Sequence, residues 1–354
     1  MNIGLVDADY LTRKKHRFPN LALMKLSGHF KRLGHSVELV LNTNLLSGSF
    51  YDKIFVSQVF TDTDFQIPEG IDFEKGGTGF SLQNSLSLPP MIEHHYPDYE
   101  LYSKASISGE MYDNYSIGFT TRGCIRGCDF CVNKNSKRAV LHSPVSEFLD
   151  KNRKYICLLD DNILACKDWE QVINSLRDTG KPFQFKQGLD IRLMTPRKSK
   201  LFSESKLRSY PYFAFDLMKE RNSVERGLSK WREYNQKKCK AYLLCAFESL
   251  DDDDIENIFV RVEILASYKV LPYLMRFEDY KKSENYGMYV NLAAYLNQAS
   301  LFEKMSFREF CEKDNARKGG NSATMRYLND FECRNPHIAK KFFDRCIWKE
   351  QNSS

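Results

Sequence analysis

The chain reads as an α/β protein in three parts: a small Rossmann-like, doubly wound domain, a partial (β/α)6 TIM-type barrel, and a helical C-terminal extension. Three observations carry that expectation. From residue 115 onward, short β-rich runs alternate with amphipathic stretches. After the first interval the runs recur about every 28 to 31 residues, the length of a strand-helix unit with short loops. Residues 1–80 differ, with strand-like runs around one amphipathic helix.

In that first part, Ile3-Gly4-Leu5-Val6, Val37-Glu38-Leu39-Val40-Leu41 and Ile54-Phe55-Val56-Ser57 are the expected strands, and 21–33 is a helix stopped by Gly34. The string Gly76-Gly77-Thr78-Gly79 lacks the full context of a phosphate-cradling loop and reads as a turn or linker. Residues 81–114, rich in Ser, Pro, Tyr and His, read as an irregular connector.

The second part, 115–280, holds six strand candidates: 115–120, 155–159, 183–186, 212–215, 241–247 and 271–275. Helices are expected at 144–152, 168–179, 196–207, 222–235 and 252–269. Six parallel strands with crossover helices can curl into an open barrel, whose reactive groups lie at the carboxyl ends of its strands. Beyond 281, helical stretches at 287–303 and 305–314 lead into a mixed basic and aromatic tail.

At 354 residues, with 42% hydrophobic and 28% charged content, the composition is that of an ordinary soluble protein with ample core. No apolar run approaches the length of a membrane span, so no membrane partner is expected. Acidic residues Asp7 and Asp9 come too early for a secretory signal, and ten cysteines are too sparse for a disulfide scaffold. A reducing, cytoplasmic location is therefore expected. The net charge of +6 permits nucleic-acid contact without requiring it.

The densest chemistry lies directly after the first barrel strand, where Cys124, Cys128 and Cys131 form a C-x3-C-x2-C run. Structural zinc wants four ligands in two pairs, and electron-carrying ferredoxins use four cysteines per cluster. A four-iron cluster with three protein thiolates keeps one iron open for an outside ligand. Cys157 and Cys245 sit inside apolar runs and read as buried thiols, while Cys311, Cys333 and Cys346 are too widely spaced for a second cluster.

The run Thr120-Thr121-Arg122-Gly123-Cys124 through Phe130-Cys131 resembles the C-x3-C-x-aromatic-C signature of the radical S-adenosylmethionine (SAM) enzymes. The resemblance implies that Cys124, Cys128 and Cys131 bind a four-iron, four-sulfur (4Fe-4S) cluster whose open iron takes the amino and carboxylate groups of SAM. Phe130 would pack beside the cluster. It also implies reductive cleavage of SAM to a 5′-deoxyadenosyl radical that abstracts hydrogen from a substrate. A low-potential electron donor of flavodoxin or ferredoxin type would be a partner, and the substrate would be a small molecule or an RNA.

The domain order is similar to that of the cobalamin-dependent branch, and the string Gln187-Gly188-Leu189-Asp190-Ile191-Arg192 resembles its Q-G-x-D-x-R segment. The D-x-H-x-x-G cobalamin motif is absent, so cobalamin is not expected, and His16 reads as a loop histidine. The Thr-Arg-Gly lead-in resembles that of methylthiotransferases, but those enzymes carry further cysteines in their N-terminal domain, and here Cys124 is the first.

Strand ends supply the remaining candidates. Asp160 or Asp161 could receive the SAM ammonium, or cap the following segment. Gln187 and Asp190 could contact ribose or substrate, and Arg192 could clamp the SAM carboxylate, unless Asp190 and Arg192 form a structural pair. Asp216 is a candidate contact for substrate or SAM, and Glu248 and Arg276 hold equivalent rim positions. The rival from another class is a non-catalytic iron-sulfur redox protein, with a fourth protein ligand and no affinity for SAM.

Overall fold

The computed structural model describes the chain apart from residues 14–15, 17, 47–49, 82–86, 106–113 and 353–354. It is a mixed α/β structure with parallel sheets. Its two compact units are Met1–Asp160 with Asn174–Phe183, and Asp161–Ile173 with Gln184–Ser354. No helix among the described residues is long and apolar enough to cross a membrane.

The first unit opens with β1 (Asn2–Asp7), β2 (Ser36–Leu39), β3 (Lys53–Ser57) and β4 (Glu74–Gly76), a parallel sheet of order β2-β1-β3-β4. Alternation along β1 sends Ile3 and Leu5 to one face and Val6 to the other. The first face is covered by the helix Leu21–Arg32 through Leu23, Met24 and Leu26. Asn20 caps that helix by accepting from the Leu23 amide. A doubly wound domain would put helices over the second face as well. Here the second face is packed largely by Phe65, Ile67, Ile71 and Phe73, none of which lies in a helix.

Of the string Gly76 to Gly79, only Gly76 belongs to the sheet, and Gly77 to Gly79 form the turn that follows it, as the sequence reading expects. Gly76 ends β4, and Gly77 (φ +101°) passes so close to Gln58 that a Cβ there would sit 2.2 Å from the Gln58 carbonyl oxygen. Part of the expected connector is core. Tyr99, Leu101 and Tyr102 are buried with Leu5 and Met24, while 82–86 and 106–113 lie outside the described residues.

The six expected strands are present as β5 (Tyr115–Gly118), β8 (Tyr155–Leu158), β9 (Phe183–Phe185), β10 (Tyr212–Ala214), β11 (Cys239–Cys245) and β12 (Val270–Arg276). Between the first two of these, β6 (Thr121–Arg122) and β7 (Val140–Leu141) form a small antiparallel ribbon. β5 pairs in parallel with β8 in a sheet of order β5-β8-β9, and β10, β11 and β12 form a second parallel sheet. In the second unit Leu189, just after β9, makes a parallel bridge to Phe213 of β10.

Four of the five expected crossover helices form, as Trp169–Asp178, Pro196–Ser203, Arg221–Arg232 and Asp252–Ser267. The stretch 144–152 makes only a 3-10 turn, Val145–Glu147. Phe148 drops onto Gly118, where a Cβ would lie 2.3 Å from the ring, and the Asp150 amide donates to Ser116 Oγ. These tertiary contacts outcompete a helix of that length. The expected helix 287–303 is interrupted because the Asn297 side chain bonds both the amide (2.6 Å) and the carbonyl (3.1 Å) of Leu274 on β12. The tail is helical to near its end, adding Ala323–Arg334, Pro336–Phe342 and Ile347–Asn352, with Phe307, Phe342 and Phe343 packed on Phe259.

Candidate functional site

The three cysteines occupy the loop that closes the β6–β7 ribbon, in the first unit. Gly123 (φ +89°) opens the loop, and a Cβ there would meet the Arg138 carbonyl oxygen at 2.2 Å and Ser136 Oγ at 2.5 Å. Only glycine fits so tight a return. The Cys124 amide donates to Ser136 Oγ, which donates to the Arg138 carbonyl, so the two ends of the loop are stitched together. All three thiols are partly exposed, and none of the ten cysteines is in a disulfide.

Two of the sulfurs accept backbone hydrogen bonds, Cys124 Sγ from the Arg126 amide (3.3 Å) and Cys131 Sγ from the Asn133 amide (3.4 Å). The Cys131 amide in turn donates to the Cys128 carbonyl, which makes a tight turn of 128–131 around Phe130. Phe130 is half-buried. Among the described residues, no group of three or more His, Cys, Asp or Glu side chains is gathered to hold a single metal ion.

Asp160, at the end of β8, anchors the base of this loop. Its buried carboxylate accepts from the Thr120 amide (3.1 Å), the Thr121 amide (2.6 Å) and both threonine hydroxyls (2.6 Å each). Burial pushes its pKa up, against the pull of those four donors. Both oxygens are thus committed to the turn that leads into β6. On the flank, Arg122 stacks its guanidinium over Phe119 at 3.4 Å and reaches Glu93, which also binds Lys25 at 2.8 Å.

The second unit holds the other sequence candidates. Asp190 caps the 3-10 turn Ile191–Leu193 by accepting from the Arg192 amide, and it also accepts from Arg192 Nε at 2.6 Å. The other end of the guanidinium pairs with Glu220. Arg192 is therefore held by two carboxylates of its own unit, the structural pairing that the Asp190–Arg192 spacing allowed. Gln187 is exposed, and Asp161 is half-buried.

Asp216 follows β10 with its Oδ1 buried and without a hydrogen-bond partner among the described residues. Burial first, and then the nearby Glu220, push its pKa up to about 7, against Arg261 and Arg192. Arg261, buried on the helix Asp252–Ser267, donates through one nitrogen to the carbonyls of Phe215, Asp216 and Leu244 and so ties the ends of β10 and β11. Glu248 is exposed and paired with Lys219, and Arg276 lies 4.6 Å over the Tyr280 ring.

Ser136, Glu220 and Arg261 do not enter the sequence reading, and Thr120 and Thr121 enter it only as the lead-in to the cysteine run, with no role of their own. The doublet of threonines before the cysteine run was a local sign that a turn there needed an acceptor; nothing local marked the rest.

In the N-terminal sheet, the strand order reverses between β1 and β3, the crevice where open α/β sheets bind ligands. Here it is filled by the chain itself. Asp7 accepts from Tyr102 Oη, Asn20 donates to Ser57 Oγ, and Asp9 accepts from the Val59 amide and the Thr63 hydroxyl.

No family model matches this chain, and a search of curated proteins finds no match.

Proposed function

We propose that the chain is a radical SAM enzyme in which Cys124, Cys128 and Cys131 would hold a 4Fe-4S cluster and leave one iron for SAM. The observation that carries the reading is the cysteine loop itself. Three undisulfided thiols, two with amide donors on sulfur, sit in a loop pinned by Gly123 and Ser136 that closes the small ribbon following the first of six successive strands. A single ion would draw its ligands around one point, about 2.3 Å from each sulfur, whereas a four-iron cluster binds each thiolate to a different iron and asks for a wider set. The donor chemistry suits the cluster. When bound, the cluster and SAM together supply the reducing electron and the 5′-deoxyadenosyl radical that removes a hydrogen atom from substrate.

In this reading the six strands form the partial (β/α)6 barrel, and the N-terminal sheet is the Rossmann-like domain that precedes it. Its crevice, occupied by Asp7, Tyr102, Asn20 and Ser57, leaves cobalamin outside the proposal. Asp160 positions the loop through Thr120 and Thr121. Asp190 and Glu220 hold Arg192, and Asp216 supplies a carboxyl that exchanges its proton near neutral pH beside a strand end. The substrate class, small molecule or RNA, is set by groups that contact it.

Anaerobic reconstitution with iron and sulfide, followed by electron paramagnetic resonance with and without SAM, tests the reading. A reduced cluster whose spectrum shifts with SAM, and 5′-deoxyadenosine that vanishes in Cys128→Ala, are the expected results. A spectrum indifferent to SAM would favour the non-catalytic iron-sulfur protein, and full product from Cys128→Ala would end the assignment.

A further inference from the structure

The cysteine ribbon carries an unusual surface. Residues 122–141 hold five positive charges, Arg122, Arg126, Lys134, Lys137 and Arg138, against Asp129 alone, a net +4 in a chain whose total is +6. Within the same segment Ile125, Val132, Val140 and Leu141 are each about half exposed (46%, 54%, 51% and 46%). Both residues of β7 face water, although strands of this composition ordinarily bury one side. Lys134, Lys137 and Arg138 are exposed, and no acidic side chain among the described residues pairs with them.

Exposed aliphatic side chains interspersed along one short segment with cations that no carboxylate among the described residues neutralises suit a protein interface whose partner is acidic. Nucleic acid fits it less well. Single strands bind through aromatic platforms on which bases stack, and the exposed apolar side chains here are all aliphatic. We infer that this ribbon is the docking surface for a small acidic electron-transfer protein, which would meet the chain beside the thiols that receive the electron. The identity of the partner rests on the radical SAM reading, while the surface itself stands on charge and exposure.

The test uses the full chain and a flavodoxin as probe. Binding is read by fluorescence anisotropy at low and high salt, on the chain both as purified and after cluster reconstitution. Cluster reduction is followed separately with reduced flavodoxin and with dithionite. The combined variant Lys134→Glu, Lys137→Glu and Arg138→Glu should weaken flavodoxin binding about tenfold or more and flatten its salt dependence. Reduction by dithionite should be unchanged. Val140→Ser with Leu141→Ser should weaken binding without altering the salt dependence, and circular dichroism checks that both variants keep their helices.

Flavodoxin binding by the purified chain that responds to these charges, with no cluster after reconstitution, would support the surface and remove the radical SAM reading. Wild-type protein that binds no flavodoxin at low salt, or charge-reversed protein that binds it as well as wild type, overturns the docking surface. So does wild-type protein that prefers single-stranded RNA and loses that preference on charge reversal.

Discussion

Replacing Asp160 by Ala should loosen the cysteine loop from its base. The carboxylate accepts four hydrogen bonds, two from hydroxyls that can rotate toward other acceptors and two from the amides of Thr120 and Thr121, which cannot. Both threonines are buried, so each stranded amide costs about 1–3 kcal/mol, or about 2–6 kcal/mol together. Removing a buried charge returns part of that, because burial already pushes the Asp160 pKa up. The net loss should be about 3 kcal/mol. All three tryptophans, Trp169, Trp231 and Trp348, lie in the second unit and are poor reporters of this site. Hydrogen exchange followed by mass spectrometry on peptides covering 115–141 reads it directly. About 3 kcal/mol corresponds to roughly a hundredfold faster exchange at Thr120 and Thr121, provided they open locally. Protection unchanged within threefold in the variant would refute the anchoring role.

Other outcomes follow from the same geometry. Asp216 has a folded-state pKa raised to about 7, so the stability it contributes is full below its unfolded value near 3.8 and is lost as pH rises toward 7. Urea unfolding followed by tryptophan fluorescence should show Asp216→Asn losing part of the wild-type decline between pH 4 and 8, a difference of up to about 4 kcal/mol; parallel pH curves would contradict it. Gly123→Ala should cut the iron bound per chain on reconstitution to a small fraction of wild type, because its Cβ would overlap the Arg138 carbonyl. Arg261→Met should destabilise the second unit by about 3–5 kcal/mol, seen as a lower urea midpoint, since three carbonyls lose their donor. A midpoint unchanged by Arg261→Met would show that those carbonyls find other donors.

The amino-acid sequence alone determined where most of the strands fall, because β1 to β3 and the six runs after Tyr115 are short, largely apolar runs bounded by turn residues, a local pattern that the two- and three-residue strands β4, β6 and β7 do not carry. The six runs from Tyr115 to Met275 and the helices at Pro196, Arg221 and Asp252 are of this kind. So is the cysteine motif, in which three cysteines within eight residues need no long-range contact to be recognised. Only the tertiary structure decided how polar groups are used. Asp160 meets Thr120 from 40 residues away, Arg192 meets Glu220 across 28, and Tyr102 meets Asp7 across 95. Other contacts of the same long range shortened the stretch at Val145, split the helix at Asn297 and filled the crevice between β1 and β3. Which carboxylate faces which donor is set by strand register and by what else is buried beside it, and neither is written in any window of neighbouring residues.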